Sequence, residues 1–134
     1  MADHAPALPP RIRTWLTAKL RFPVLGTIGA DGRPSLSVMW AVLQDDDSLL
    51  MNTRRDRTKA RNLARDPWAS LCYQDAYEYV TLEGPVTFRD DPDLLDIIAI
   101  RDHYRDDYDF SSQRGERVSM IMSVDKVREH LKRL

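Results

Sequence analysis

Phe22-Pro-Val-Leu-Gly-Thr-Ile28, Gly29-Ala-Asp-Gly-Arg33 and Pro34-Ser-Leu-Ser-Val-Met-Trp-Ala-Val-Leu43 read in turn as a strand, a turn and a return strand. Asp31-Gly32 suits a tight hairpin, because both residue types tolerate the positive backbone angles such a turn needs. In the return strand Leu36, Val38 and Trp40 alternate with Ser35, Ser37, Met39 and Ala41, the two-residue period of a chain with one apolar face. A chain that opens its sheet with a hairpin is building antiparallel pairs.

Working outward, Asp45-Asp-Asp-Ser48 marks the next turn and Leu49–Thr53 a third strand. Trp68–Gln74 reads as a fourth strand and Tyr77–Phe88 as a fifth, with Gly84-Pro85 marking a kink or bulge. Arg117–Val124 is the last. Helices are expected at Arg11–Leu20, after Pro9-Pro10, and from Arg57 to Pro67, with Asp56 as N-cap. Two more are expected at Asp91–Tyr104 and, capped by Asp125, from there to Leu134. Asp106–Gly115 is polar and reads as a loop. About six strands with hairpin-length turns and no strand–helix–strand alternation predict a mainly β fold, a six-stranded antiparallel barrel with flanking helices.

The length, 134 residues, fits one domain, with residues 1–9 a flexible lead-in. A hydrophobic fraction of 43% and a charged fraction of 31% are ordinary for a globular protein. No apolar run reaches membrane-spanning length, and the start lacks the basic and apolar regions of a signal peptide. Cys72 is the only cysteine, so no intramolecular disulfide forms and a cytoplasmic location is expected. The net charge of −1 gives no global field to recruit nucleic acid. Charge is nevertheless segregated. Arg89–Asp109 holds eight Asp and three Arg, against six basic residues and one acid between Arg54 and Arg65. Two solvated patches account for this as well as a subunit boundary would.

That basic stretch is Met51-Asn-Thr-Arg-Arg-Asp-Arg-Thr-Lys-Ala-Arg-Asn-Leu63, the end of a strand running into the first turns of a helix. Cations are disfavoured at a helix N-terminus, whose unpaired N–H groups already carry partial positive charge. Arg57 and Lys59 in the first turn therefore predict an anion to hold. The backbone N–H groups, the Thr58 hydroxyl, a guanidinium and an ammonium would converge on a phosphate. A solvated basic helix face is the plainer alternative.

His4, His103 and His130 are scattered, and none stands at metal-ligand spacing from another histidine or from Cys72, so no metal site is expected. There is no Gly-x-Ser-x-Gly, Walker loop or Rossmann glycine pattern. An anion site without a catalytic constellation points to chemistry supplied by a cofactor.

Four segments follow in order: Leu25-Gly-Thr-Ile-Gly-Ala-Asp-Gly-Arg-Pro34, the strand to Trp40, Arg57-Thr-Lys-Ala-Arg-Asn-Leu-Ala-Arg-Asp-Pro67-Trp-Ala-Ser70, and Thr81-Leu-Glu-Gly-Pro-Val86. Together they resemble the flavin/deazaflavin oxidoreductases of the pyridoxamine 5'-phosphate oxidase-like split-barrel superfamily. Within it, the chain most resembles the short branch that uses the deazaflavin coenzyme F420. The resemblance implies a six-stranded antiparallel split barrel (the FMN-binding split barrel). It also implies a homodimer with the cofactor in a groove at its interface.

The resemblance places a phosphate-binding Arg-x-Lys on Arg57 and Lys59, with Asn62 following. Met51, Asn52 and Thr53 would run beside the cofactor, and Ser37, Val38 and Met39 would approach its rings. Tyr77 would reach across the dimer. Arg54 and Arg55 would add charge for the polyglutamate tail of F420. Core packing is the simpler role for Val38, Met39 and Trp40, and a local hydrogen bond for Asn62.

The implied reaction is hydride transfer from reduced F420 to a small organic substrate, with Tyr77, Tyr79 or Arg117 as possible proton donors. FMN in the same groove is the alternative cofactor, and a non-enzymatic cofactor carrier the alternative class. Nucleic-acid binding fits poorly, because the basic block lacks interleaved aromatics.

Overall fold

The structure, a computed structural model, describes residues 8–132. Its strands are β1 (Val24–Ile28), β2 (Pro34–Val38), β3 (Val42–Leu43), β4 (Leu49–Arg54), β5 (Trp68–Asp75), β6 (Glu78–Asp90), β7 (Arg117–Met122) and β8 (Lys126–His130). Its helices are α1 (Pro10–Thr17), α2 (Thr58–Arg65) and α3 (Leu95–His103). The strands form one antiparallel sheet in the order β2-β1-β5-β6-β7-β4-β3, with β8 also on β6. This is the expected antiparallel split barrel with flanking helices.

The expected hairpin forms, although only Gly32 of the Asp31-Gly32 pair takes a positive φ. β1 pairs β2 with Val24 opposite Val38, and Gly32 takes φ 81° in the turn. Long β6 organises the rest. Its first half pairs β5 and β8, and from Val86 onward it pairs β7. The change of partner falls at Gly84-Pro85, where the sequence predicts a kink. A Cβ on Gly84 would lie 1.7 Å from the Ser123 carbonyl oxygen, so the strands approach there only because that side chain is missing.

Two apolar clusters hold the fold. Inside the barrel are Leu25, Leu49, Met51, Leu71, Leu82, Met120 and Met122, all fully buried, with Ile12 of α1 closing one end. Outside the sheet, Leu50, Ile97, Ile100, Tyr104 and Phe110 seat α3.

Several expectations are corrected. The strand expected over Pro34–Leu43 divides into β2 and β3, which with β8 makes eight strands, not six. Leu36 and Val38 face outward, 70% and 66% exposed, while Met39 and Ala41 beyond the strand end are buried. β2 stands at the edge of the sheet, and no described element of this chain packs over the outward face that carries Leu36 and Val38.

Residues 126–130 are strand, not terminal helix, because the first half of β6 needs a partner there. Val127 lies opposite Leu82 and packs on the core. Residues 133–134 of the expected helix lie outside the described residues.

Helix α2 is capped at Arg57 rather than Asp56, with no side-chain cap. Helix α3 begins only at Leu95. The carboxylate of Asp91 reaches forward to accept the N–H groups of Asp96 (3.0 Å) and Ile97 (2.9 Å), while Leu94 crosses the left-handed region at φ 64°. Helix α1 stops at Thr17, three residues early. The Arg21 guanidinium lies 3.7 Å over the Trp15 ring and donates to the Trp15 carbonyl, satisfying one of the helix's last acceptors.

The flexible segment expected over residues 1–9 lies outside the described residues as far as residue 7. Leu8 is buried, and its N–H donates to Asp47 (2.8 Å).

Candidate functional site

Strand β4 runs out through Arg54, and after three intervening residues α2 begins at Thr58. No side chain caps α2, and its first turn holds no acid. Its leading N–H groups therefore keep their partial positive charge. Beside them Arg57 and Lys59 line a cleft of about 500 Å³, together with Arg54 and Arg117. Among the described residues neither Arg57 nor Lys59 pairs with a carboxylate, and Arg54 approaches only Glu116, at 3.4 Å. The Arg54 Nε is buried without a hydrogen-bond partner. Burial, and then the charges of Arg57 and Arg117, hold the Lys59 ammonium below its ordinary pKa. Burial, and then Arg54, also lower that of Arg117.

The other walls of the cleft are largely apolar, with Asp106 the one carboxylate among the described lining residues. Val38, Met39 and Trp40 come from the end of β2, Ile97 and Ile100 from α3, and Tyr108 and Phe110 from the segment after it. Trp40 stacks on Tyr104, ring centres 5.5 Å apart and planes 12° from parallel. The Tyr104 hydroxyl bonds the Ala41 N–H (3.1 Å) and the Arg21 carbonyl (2.7 Å), tying α3 to the chain between β2 and β3. A cleft with cations at one end and flat apolar walls at the other suits a planar organic molecule bearing a phosphate.

A buried polar network runs behind the cleft. Arg117 donates through Nε to the Asn52 side-chain oxygen (2.8 Å) and through Nη1 to that of Gln113 (2.6 Å), with its guanidinium 4.8 Å over the Phe110 ring. The Asn52 amide nitrogen donates to Asp91 (3.1 Å) and Ser119 (3.0 Å). Ser119 in turn donates to Asp96 (2.5 Å). Asn52 lines the cleft, but both ends of its amide are already bonded.

Of the residues singled out by sequence, the structure brings Val38, Met39, Asn52, Thr53, Arg57 and Lys59 to one cleft. Six others lie outside it in this chain. Met51 is fully buried in the barrel core, and Ser37 sits on β2 off the cleft lining. Asn62 is buried and bonds Thr27 (3.0 Å) and Arg65 (2.9 Å), the local role weighed for it. Thr58 is exposed at the start of α2. Arg55 turns to Asp90 (2.6 Å) and the Gly115 carbonyl (3.1 Å). Tyr77 is 90% exposed at the tip of the β5–β6 hairpin.

The residues of the segment from Asp106 to Gln113 were not foreseen as site residues. Nothing local in that polar stretch shows that the chain folds back over β4. Arg117, weighed only as a proton donor, emerges as a cation held in the cleft.

The fold and site define an antiparallel split-barrel protein with a cleft lined by four basic side chains at the start of α2. The sequence matches the family model for pyridoxamine 5'-phosphate oxidase over residues 8–131, and the chain belongs to that family. It is 34% identical over 94 residues to a pyridoxine/pyridoxamine 5'-phosphate oxidase of Burkholderia multivorans. That match covers 63% of this chain and 44% of the relative's length.

Among solved structures, an F420 reductase superposes with a TM-score of 0.79 at 22% identity, covering 86% of this chain and 94% of the other. A conserved hypothetical protein of Mycobacterium tuberculosis gives 0.73 at 23%, covering 96% and 91%. A pyridoxamine 5'-phosphate oxidase-related, FMN-binding protein of Nostoc punctiforme gives 0.62 at 19%, covering 90% and 83%. Likenesses at these identities establish the shared fold. Among the described residues no helix is long and apolar enough to cross a membrane.

Proposed function

We propose that this protein is a cytoplasmic oxidoreductase that uses the deazaflavin F420 and reduces a small, flat organic substrate. The observation that carries the reading is the pair Arg57 and Lys59, free of carboxylates, beside the uncapped N-terminus of α2 in a cleft with apolar walls. These residues fit a phosphate-bearing cofactor: the Arg54 Nε is buried with no hydrogen-bond partner, and burial followed by the neighbouring cations Arg57 and Arg117 lowers the pKa of Lys59. Reduced F420 supplies a hydride. The chain holds the phosphate on Arg57 and Lys59, keeps water from the ring end with Trp40, Ile97 and Phe110, and orients the ring against Val38 and Met39.

FMN is the second reading, favoured by likeness to the Nostoc protein whose description names that cofactor. The F420 reading is preferred because the cleft offers Arg54 and Arg117 beyond the two cations that one phosphate needs.

The cleft works as a dimer site. Phe22, Leu36 and Val38 are more than half exposed on and beside the edge strand, and Val38 also lines the cleft. A second copy seated there covers the apolar face, walls the cleft, and can bring its Tyr77 to the rings.

Fluorescence titration of the purified protein with F420 and, separately, with FMN tests the cofactor. Tight binding of F420 alone is expected, and Arg57→Ala and Lys59→Ala should each weaken it with the fold intact. Preference for FMN moves the protein to the flavin reading. Binding of neither refutes both.

A further inference from the structure

Arg54 and Arg117 stand directly opposite each other on neighbouring antiparallel strands, β4 and β7. Like charges in register on adjacent strands repel, so such a pair persists only where something offsets it. Nothing in the described chain does so fully. Arg117 is nine-tenths buried, and its side chain donates to two neutral amide oxygens, those of Asn52 and Gln113. The nearest buried carboxylate, Asp91, is occupied by Asn52 and by two N–H groups of α3. Arg54 has only the contact with Glu116, at the long distance of 3.4 Å, and its Nε is buried with no partner at all. A buried guanidinium fixed by neutral acceptors, with Nη2 left over and a second guanidinium beside it, is a preorganised fork for an oxyanion.

The count of charges points the same way. Four cations and one carboxylate, that of Asp106, line the cleft, and a phosphate monoester carries about 1.5 to 2 negative charges at neutral pH. Arg57 and Lys59 with the α2 N-terminus match that amount, which leaves Arg54 and Arg117 in surplus.

We propose that Arg54 and Arg117 form a second anion-binding centre in the cleft, distinct from the α2 site, which takes a carboxylate or phosphate group. Asn52 and Gln113 are its positioning residues. They bind no ligand themselves but fix the guanidinium plane of Arg117. This rests on the cleft being the ligand site proposed above, yet it does not depend on which cofactor binds there. The group comes either from the acidic tail of the cofactor or from the substrate.

The test is an NMR titration of the full chain, free of cofactor, with inorganic phosphate, following the arginine Nε–H signals. Two saturations are expected. One involves Arg57 and is weakened about tenfold in Arg57→Gln. The other involves Arg54 and Arg117, is weakened about tenfold in Arg117→Gln, and moves less than twofold in Arg57→Gln. Arg54→Gln, a change at a partly exposed side chain, should have the same effect as Arg117→Gln and guards against a folding defect at the buried site. A single saturation that Arg57→Gln and Arg54→Gln abolish alike overturns the proposal, since one phosphate would then span all four cations.

Affinities for F420 and FMN separate the two sources. A roughly tenfold loss for F420 alone in Arg117→Gln assigns the second group to the cofactor's carboxylates. No loss for either, with phosphate still titrating Arg117 in the cofactor-loaded protein, assigns it to the substrate. Should neither cofactor bind, the phosphate titration still decides the proposal, so its failure is distinct from failure of the cofactor reading.

Discussion

Replacing Asn52 by alanine isolates the network behind the cleft. The side chain makes three buried hydrogen bonds, to Arg117 (2.8 Å), Asp91 (3.1 Å) and Ser119 (3.0 Å). Bonds with a charged partner are worth roughly 1.5–3 kcal/mol and neutral ones about 1 kcal/mol, so the simple sum is roughly 4–7 kcal/mol. The real loss is smaller. Arg117 keeps Gln113, Asp91 keeps two backbone N–H groups, and Ser119 keeps Asp96. A water can also enter the vacated polar space. We expect destabilisation of about 3 kcal/mol, a large share of a typical domain's stability, and a fall in Tm of roughly 10 °C. Urea denaturation at fixed protein concentration measures it as a lower midpoint at unchanged slope. A change below about 1 kcal/mol at unchanged slope would refute the reasoning, because Asn52 would then contribute no more than a surface amide.

Three further outcomes are expected. Lys59 titrates below its ordinary pKa in the folded chain, so affinity for a phosphate-bearing ligand should fall as pH rises through that lowered value. Lys59→Arg, which stays charged, should flatten the fall in a binding-versus-pH series. In the same window the unfolded chain holds the proton that the native chain has lost. The stability penalty of this lysine is therefore full below its native pKa and is relieved as pH rises toward the unfolded value. Gly84→Ala puts a methyl group 1.7 Å from a backbone oxygen that no rotamer can avoid, and should cost about 3 kcal/mol or more by chemical denaturation; a neutral result would mean β6 does not cross so close to Ser123. Val127→Asp should cost about 2 kcal/mol and Arg128→Gln less than about 0.5, since only Val127 packs on the core; equal effects would count against strand β8.

Much of the fold was legible because it is local. Asp31-Gly32 sets a hairpin turn by its own backbone preferences, Pro67 follows the last turn of α2, and Gly84-Pro85 marks the change of partner in β6. Arg57 and Lys59 stand out because charge of that sign contradicts the helix end on which it sits. The misreadings share one cause. Leu36 and Val38 have the alternation of a core strand, but whether an alternating strand faces a core depends on which strand has the edge. Arg55 and Asn62 stand next to Arg57 and Lys59 in sequence, yet partners distant in sequence, Asp90 and Thr27, hold them elsewhere.

The sequence by itself determined an antiparallel sheet with short turns and a pair of cations at a helix start, because turn chemistry, side-chain period and helix-end electrostatics act within a few residues. Only the tertiary structure decided that residues 126–130 are a strand. Their composition permits a helix, and the unpaired stretch of β6 supplies hydrogen bonds that no local signal can announce. It alone set Arg117 opposite Arg54, and Asn52 and Gln113 against Arg117, since strand register is fixed by the packing of both faces of the sheet at once.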